Sequence, residues 1–336
     1  MPEPLPTLTA DDFASDQEVR WCPGCGDFAI LAQLKQVLAG LEIPRERIVF
    51  VSGIGCSSRL PYYLSTFGFH TAHGRAPTVA TGLKVAKPEL SVWVVTGDGD
   101  GLGAGATHLL HALRRNVGIK VLLFNNEVQG LSKGPFSPTT RPGTVTRSSP
   151  TGARETPVRP LTFALAAGAS FVARTVDVDG EHLAATLRQA AEHRGSAFVE
   201  IYQNCKIFND GVFGYATERS LKSDNVIYLE HGRPLVYGRD RNRGLRLNGL
   251  ELLPVELNGH IAELLIHDET ATKPALTALL ADATAPALPE CLGVLRRVER
   301  PTFEEQLAAL SVQRSRLQGG GTVEELFAAD DTWIVE

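Results

Sequence analysis

Hydrophobic residues fall along the 336-residue chain in short β-branched runs separated by amphipathic stretches. Ile48–Ser52 (IVFVS), Ser91–Thr96 (SVWVVT), Val121–Phe124 (VLLF), Phe171–Val178 and Ser196–Tyr202 (SAFVEIY) read as buried strands. Apolar runs this short suit a parallel sheet covered on both faces. Between them the spacing changes. Phe28, Leu31, Leu34, Val37 and Leu38 recur at helical intervals and predict a helix over Asp27–Leu41. Pro77–Ala86, Gly103–Asn116, Leu161–Ala167 and Glu181–Glu192 read as further helices. The alternation predicts a doubly wound, mainly parallel α/β sheet over about residues 20–205. A loop rich in Ser, Thr, Pro and Gly, Asn125–Val158, interrupts it, and so long a loop inside a compact domain is usually functional.

The pattern weakens at both ends. Residues 1–20, rich in Pro and Asp, read as an extended tail, and 21–225 as the main domain. Residues 226–336 read as an irregular extension expected to pack on the core or on a partner subunit. Within it Val226–Leu229 and Leu252–Leu257 suggest strands, Ile261–Leu265 and Pro274–Leu280 helical pieces, and Gly319–Gly321 a hinge.

Composition narrows the classes. Hydrophobic content of 43% and charged content of 21% are ordinary for a globular protein. A net charge of −5, with no basic run interleaved with aromatics, argues against a nucleic-acid surface. No apolar run is long enough to span a membrane, and the acidic N-terminus is not a signal peptide. The expectation is a cytoplasmic protein, where structural disulfides are uncommon, so the five cysteines need another explanation.

Two groups of residues carry candidate chemistry. Gly97-Asp98-Gly99 follows one predicted strand and Asn125-Asn126 the next, which puts Asp98 and Asn126 beyond strand ends, 126 − 98 = 28 positions apart. Open α/β sheets bind ligands there. A carboxylate and an amide oxygen on separate loops, with glycines admitting an anion, suit Mg²⁺ shared with a diphosphate. The bland alternative is a tight turn with Asp98 as a helix cap. The second group is Cys22 and Cys25 in a Cys-x-x-Cys pair, with Cys56 and Cys205 standing alone. Four such thiolates can hold Zn²⁺ or an iron–sulfur cluster, and spacing alone does not decide. Structural zinc sites usually pair a second short-spaced knuckle, so the lone cysteines tilt the reading toward [4Fe–4S]. Cys291 reads as inert, and His108 and His111 as packing or subunit contacts.

Trp21-Cys22-Pro23-Gly24-Cys25-Gly26, Gly53-Ile54-Gly55-Cys56-Ser57-Ser58-Arg59, His73-Gly74-Arg75-Ala76, Gly97-Asp98-Gly99-Asp100, Asn125-Asn126-Glu127-Val128, Ser137-Pro138-Thr139-Thr140 and Gln203-Asn204-Cys205-Lys206 together resemble the beta subunit of the 2-oxoacid:ferredoxin oxidoreductases. The resemblance covers about residues 18–230. It implies the thiamine diphosphate-binding fold, with Mg²⁺ on Asp98, Asn126 and the Val128 carbonyl, and a [4Fe–4S] cluster on Cys22, Cys25, Cys56 and Cys205. It places Ile54, Gly55, Cys56, Ser57, His73, Gly99, Asp100, Gly130 and Leu131 around the cofactor. Arg59 and Lys133 are candidates for the substrate carboxylates, and His73 for the diphosphate or the bound intermediate. Such enzymes decarboxylate a 2-oxoacid, oxidise the product through the cluster, pass the acyl group to coenzyme A and deliver electrons to ferredoxin. A companion alpha, or fused gamma-alpha, subunit supplies the pyrimidine half of the site. The chain is closest to the 2-oxoglutarate enzymes; a pyruvate enzyme, a zinc-stapled non-redox decarboxylase and a non-catalytic subunit are the alternatives. Gln129 and Pro135 stand where many relatives carry Tyr and Gln.

Overall fold

The computed structural model describes residues 8–257 and 263–327. Strands β1 (Ile48–Ser52), β2 (Phe67–His70), β3 (Ser91–Gly97), β4 (Ile119–Asn125), β5 (Phe171–Val176), β6 (Ala197–Tyr202), β7 (Val226–Tyr228) and β11 (Glu290–Arg297) form one sheet, in the order β2-β1-β3-β4-β6-β5-β11-β7. A separate antiparallel sheet holds β8 (Val236–Tyr237), β9 (Arg243–Asn248) and β10 (Glu251–Glu256). Within the large sheet the pairs from β2 to β5 are parallel, whereas β11 runs antiparallel to β5 and parallel to β7.

The alternation of side chains along each strand separates two cores. On one face Val49, Val51, Val92, Val94, Val121 and Leu123 pack under helices α2 (Ala76–Ala86), α3 (Ala106–Arg114) and α4 (Pro160–Ala166). On the other, Ile48, Phe50, Trp93, Val95, Leu122 and Phe124 pack under α1 (Asp27–Ala39) and α5 (Gly180–Glu192). Strands sandwiched this way are apolar at every position, as the sequence pattern requires.

The chain leaves β1 toward β2 on one side and returns to β3 on the other. This reversal opens a crevice between the carboxyl ends of β1 and β3, the usual ligand position in such sheets.

Several expectations change. The N-terminal segment is anchored: Phe13 is fully buried and Ala14 bridges Leu64. The helix expected from Gly103 begins earlier, as a π-helical turn over Gly99–Ala104 followed by α3. The extension contributes β7 and β11 to the main sheet, and a helix over Phe303–Gln318 with a Thr302–Glu305 capping box. Pro274–Leu280 corresponds to a helix over Ala275–Asp282. Of Ile261–Leu265, residues 261 and 262 lie outside the described residues, and Glu263–Leu265 is not helical. Gly319 caps the Phe303–Gln318 helix in a left-handed conformation, and a short helix over Val323–Phe327 follows. Among the described residues no helix is long and apolar enough to cross a membrane.

Candidate cofactor and cluster sites

The loops after β1, β3 and β4 meet at the crevice. A pocket there is lined by Ile54, Gly55, Cys56, Ser57, His73, Asp98, Gly99, Asp100, Asn126, Val128, Gly130 and Leu131, together with Gly97, Gln129 and Ser132. Every residue expected around the diphosphate and its metal is therefore on one wall or another of a single cavity.

Asp100 organises this pocket and does not face into it as a free anion. Its buried carboxylate accepts the backbone N–H of Ile54 at 3.1 Å and of Gly74 at 2.8 Å, the Thr96 hydroxyl at 2.7 Å, and a hydrogen bond from Nδ1 of His73. Three loops are thus tied to one side chain. Gly53 is required beside it, since a Cβ there would stand 1.9 Å from an Asp100 oxygen. Gly74, in a left-handed conformation, lets its loop touch the backbone of Gly105.

Asp98 is also buried, and its Oδ2 accepts hydrogen bonds from Ser137 and Thr139, each at 2.6 Å. Burial raises its pKa to about 6, against the pull of those two hydroxyls. Asn126 donates to Gln203 at 2.7 Å, and its side-chain oxygen accepts the Val128 N–H at 3.1 Å. A hard anion, an amide oxygen and a nearby carbonyl fit the oxygen preference of Mg²⁺. Among the described residues no three His, Cys, Asp or Glu side chains converge to hold an ion by themselves. A cation here would need oxygens from a bound diphosphate.

A second cavity of about 210 Å³ is lined by Cys22, Cys25, Cys56 and Cys205. All are free thiols. Burial raises the pKa of Cys25 and Cys205, and that of Cys56 to about 11. The thiolates that metal binding requires must therefore be stabilised by the metal itself. Gly130 faces this space: a Cβ there would lie 3.5 Å from the sulfurs of both Cys56 and Cys205. Trp21 ties the first cysteine loop to the second by donating Nε1–H to the Cys56 carbonyl at 2.8 Å. Four thiols line this one cavity, a soft donor set of the kind that zinc and iron–sulfur clusters take, and among the described residues no three of them converge on a single ion.

The two cavities share Cys56, Asn126, Gly130 and Leu131 as a common wall. Gln203 spans them, accepting from Asn126 and donating to the Cys25 sulfur at 3.1 Å. Its role, and that of Ser137 and Thr139, escaped the sequence reading, although each sits inside a motif already singled out there. Arg59 and Lys133 line the cysteine cavity and not the diphosphate pocket, and Arg59 donates to the Arg20 carbonyl at 2.8 Å. His108 bonds Arg75 at 2.7 Å, and Cys291 is buried in the core.

Residues 53–201 match the family model described as the thiamine pyrophosphate enzyme, C-terminal TPP binding domain. The chain is 46% identical over 329 residues to 2-oxoglutarate oxidoreductase subunit KorB of Mycobacterium tuberculosis, covering 97% of this chain and 88% of that protein. It is 45% identical over 190 residues to 2-oxoacid:ferredoxin oxidoreductase 1, subunit beta, of Aeropyrum pernix, covering 56% of this chain and 60% of that one. Among solved structures it resembles 2-oxoglutarate:ferredoxin oxidoreductase from Magnetococcus marinus, determined with 2-oxoglutarate, coenzyme A and succinyl-CoA bound. That likeness has a TM-score of 0.77 and 31% identity, over 98% of both chains.

Proposed function

Because the chain belongs to the beta-subunit family of the 2-oxoacid:ferredoxin oxidoreductases, we propose that it forms the diphosphate-and-cluster half of an enzyme acting on 2-oxoglutarate. The reaction is 2-oxoglutarate + CoA + two oxidised ferredoxins → succinyl-CoA + CO₂ + two reduced ferredoxins, with one proton released. The observation that carries this reading is the wall shared by the diphosphate pocket and the cysteine cavity. An electron leaving the cofactor would have only the Cys56 and Gly130 segments to cross.

When bound, thiamine diphosphate supplies an electron sink for decarboxylation and a [4Fe–4S] cluster a one-electron acceptor. The chain's own residues bind and orient. Asp98, Asn126 and the Val128 carbonyl would hold Mg²⁺ against the diphosphate, and Cys22, Cys25, Cys56 and Cys205 the cluster. Asp100 fixes the Ile54 and Gly74 loops, and through Nδ1 it fixes the ring of His73, whose Nε2 is left for the ligand. Arg59 and Lys133, which lie on the cysteine-cavity side of the shared wall, are the cations proposed for the substrate carboxylates, Arg as a planar fork and Lys as a mobile point charge. The pocket measures about 60 Å³, whereas small-molecule sites run to about 300 Å³ or more. A companion subunit must enclose the rest. Five free cysteines agree with a reducing, cytoplasmic setting.

The test is turnover of the complex reconstituted with its companion subunit, with coenzyme A and oxidised ferredoxin. We expect kcat/KM for 2-oxoglutarate to exceed that for pyruvate at least tenfold, a discrimination of about 1.4 kcal/mol. A preference for pyruvate would overturn the substrate assignment. A colourless protein carrying zinc would overturn the redox assignment.

A further inference from the structure

A closed polar ring lies behind the Asn125–Val128 turn. Asn125 donates to Glu200 Oε1 at 2.8 Å, and Arg174 Nε donates to Glu200 Oε2 at 2.7 Å. Arg174 Nη1 faces Glu290 Oε2 at 3.5 Å, an ion-pair distance without a hydrogen bond. Glu290 also accepts from Tyr202 and, at 2.7 Å, from Tyr215. Arg141 closes the ring, donating to the Tyr215 hydroxyl at 3.1 Å and to Glu127 Oε1 at 3.0 Å. Glu127 returns to Asn125 through its backbone N–H at 3.2 Å. Glu200, Arg174 and Glu290 are 0%, 5% and 3% exposed.

Buried charges of this kind add little stability over apolar packing; their best-attested use is to fix one arrangement. Here the arrangement fixed is the turn between β4 and the candidate metal ligands. Glu127 has φ of 57°, a left-handed conformation that a non-glycine residue keeps only when its surroundings hold it. Arg141 holds its carboxylate, and Thr140 donates to its carbonyl at 2.6 Å. Asn126 lies between the two gripped residues and Val128 follows. Thr139, which donates to Asp98, also lies 3.0 Å from Asn125 Oδ1, so the third ligand is tied to the same frame.

We propose that Glu290, contributed by the C-terminal strand β11, is a positioning residue for the magnesium–diphosphate site. It acts through Arg174 and Glu200 on Asn125, and through Tyr215 and Arg141 on Glu127. The inference rests on Asp98, Asn126 and Val128 holding the metal, and it gives the C-terminal extension a part in the cofactor site although none of its described residues lines the pocket.

The experiment titrates Mg²⁺ into the complex with its companion subunit at fixed thiamine diphosphate, reading the binding isotherm by calorimetry. Glu290→Gln should raise the apparent Kd about fivefold, less than the tenfold or more expected for a partner bonded directly to a metal ligand, because Glu290 reaches the turn only through intervening side chains. Tyr215→Phe, which removes the hydroxyl that links Arg141 to Glu290, should raise it about threefold. Cys291→Ser perturbs the same strand at the adjacent, oppositely directed position, which packs in the apolar core and makes no hydrogen bond in the ring, and should leave the Kd within about twofold. Turnover at saturating metal and cofactor should remain near wild type in Cys291→Ser. An unchanged Kd in Glu290→Gln, or an equal rise in Cys291→Ser, overturns the proposal. Where Glu290→Gln fails to assemble, Tyr215→Phe against Cys291→Ser decides. A wild-type complex with no magnesium-dependent cofactor binding would instead refute the assignment of Asp98.

Discussion

Asp98 shows what a site residue costs the empty chain. Its carboxyl, buried under Ser137 and Thr139, has a pKa of about 6, above the ordinary 3.8. The folded chain therefore keeps this proton to higher pH than the unfolded chain does. Between pH 4 and 6 the unfolded state binds fewer protons, so the metal-free fold loses stability as pH rises. Above pH 6 the loss is complete, on the order of 2–3 kcal/mol. Asp98→Asn keeps an acceptor oxygen for both hydroxyls and removes the charge. Denaturant titrations of the metal-free chain should find Asp98→Asn more stable than wild type at pH 7.5, by about that amount, and equal at pH 4. If Asp98 holds the metal, Mg²⁺ and thiamine diphosphate should stabilise the wild type by mass action and the same variant should gain nothing from them. A variant less stable at pH 7.5, or still protected by the ligands, would sink the assignment. That Asp98 and Asn126 belong together was legible from two strands ending in Gly-Asp-Gly and Asn-Asn. That Ser137, Thr139 and Gln203 support them was not. Ser, Thr and Gln in a polar loop look the same whether solvated or aimed at a buried carboxylate, and only the folded path of Asn125–Val158 brings them there.

Among the elements, legibility followed burial. β1, β3, β4, β5 and β6 are buried at nearly every position, and each was readable as an apolar run. β2 was not, because Phe67–His70 is exposed throughout and carries no burial pattern. β11 was missed for the opposite reason. It is buried along most of its length, yet it opens on Glu290 and ends in Arg296-Arg297, charges that mask the run in sequence. The partners of Glu290 lie on β5, β6 and a short helix over Gly214–Thr217, none of them local in sequence. This strand should behave as core. Leu295→Ala, at a fully buried position, should cost about 2–5 kcal/mol of unfolding free energy. Leu317→Ala, on the Phe303–Gln318 helix and 74% exposed, should stay within about 0.5 kcal/mol. Equal, small effects in urea titrations would mean that β11 is peripheral to the fold, and the ring through Glu290 would lose its support.

At the scale of the whole molecule the chain has the features of one part of an assembly. Its diphosphate pocket is too small to enclose a cofactor, and β2, the strand that precedes His73 of its lining, carries exposed aromatic side chains. Ile54 lines the pocket and is 45% exposed; Tyr62, Phe67 and Phe69 beyond it are 56%, 60% and 46% exposed. Among the described residues β2 pairs with β1 on one side and terminates the sheet on the other. Open edges bearing aromatic residues invite pairing with another chain, and proteins that stay apart usually protect them with charge. Phe67 and Phe69, two apart on one strand, present the same face. A companion subunit seated over the pocket and the edge would close the one and cover the other, which makes the edge testable. Phe69→Asp should weaken assembly with that subunit at least tenfold in sedimentation or gel filtration, the effect of losing an aromatic anchor of about 1.4 kcal/mol or more. The isolated chain should melt within about 0.5 kcal/mol of wild type, since an exposed ring contributes little to its own fold. Leu250→Asp, 85% exposed in the turn between β9 and β10, serves as the control for a surface charge placed elsewhere. If Phe69→Asp assembles normally while Leu250→Asp does not, the partner covers the small sheet instead, and the half-pocket must be completed from another direction.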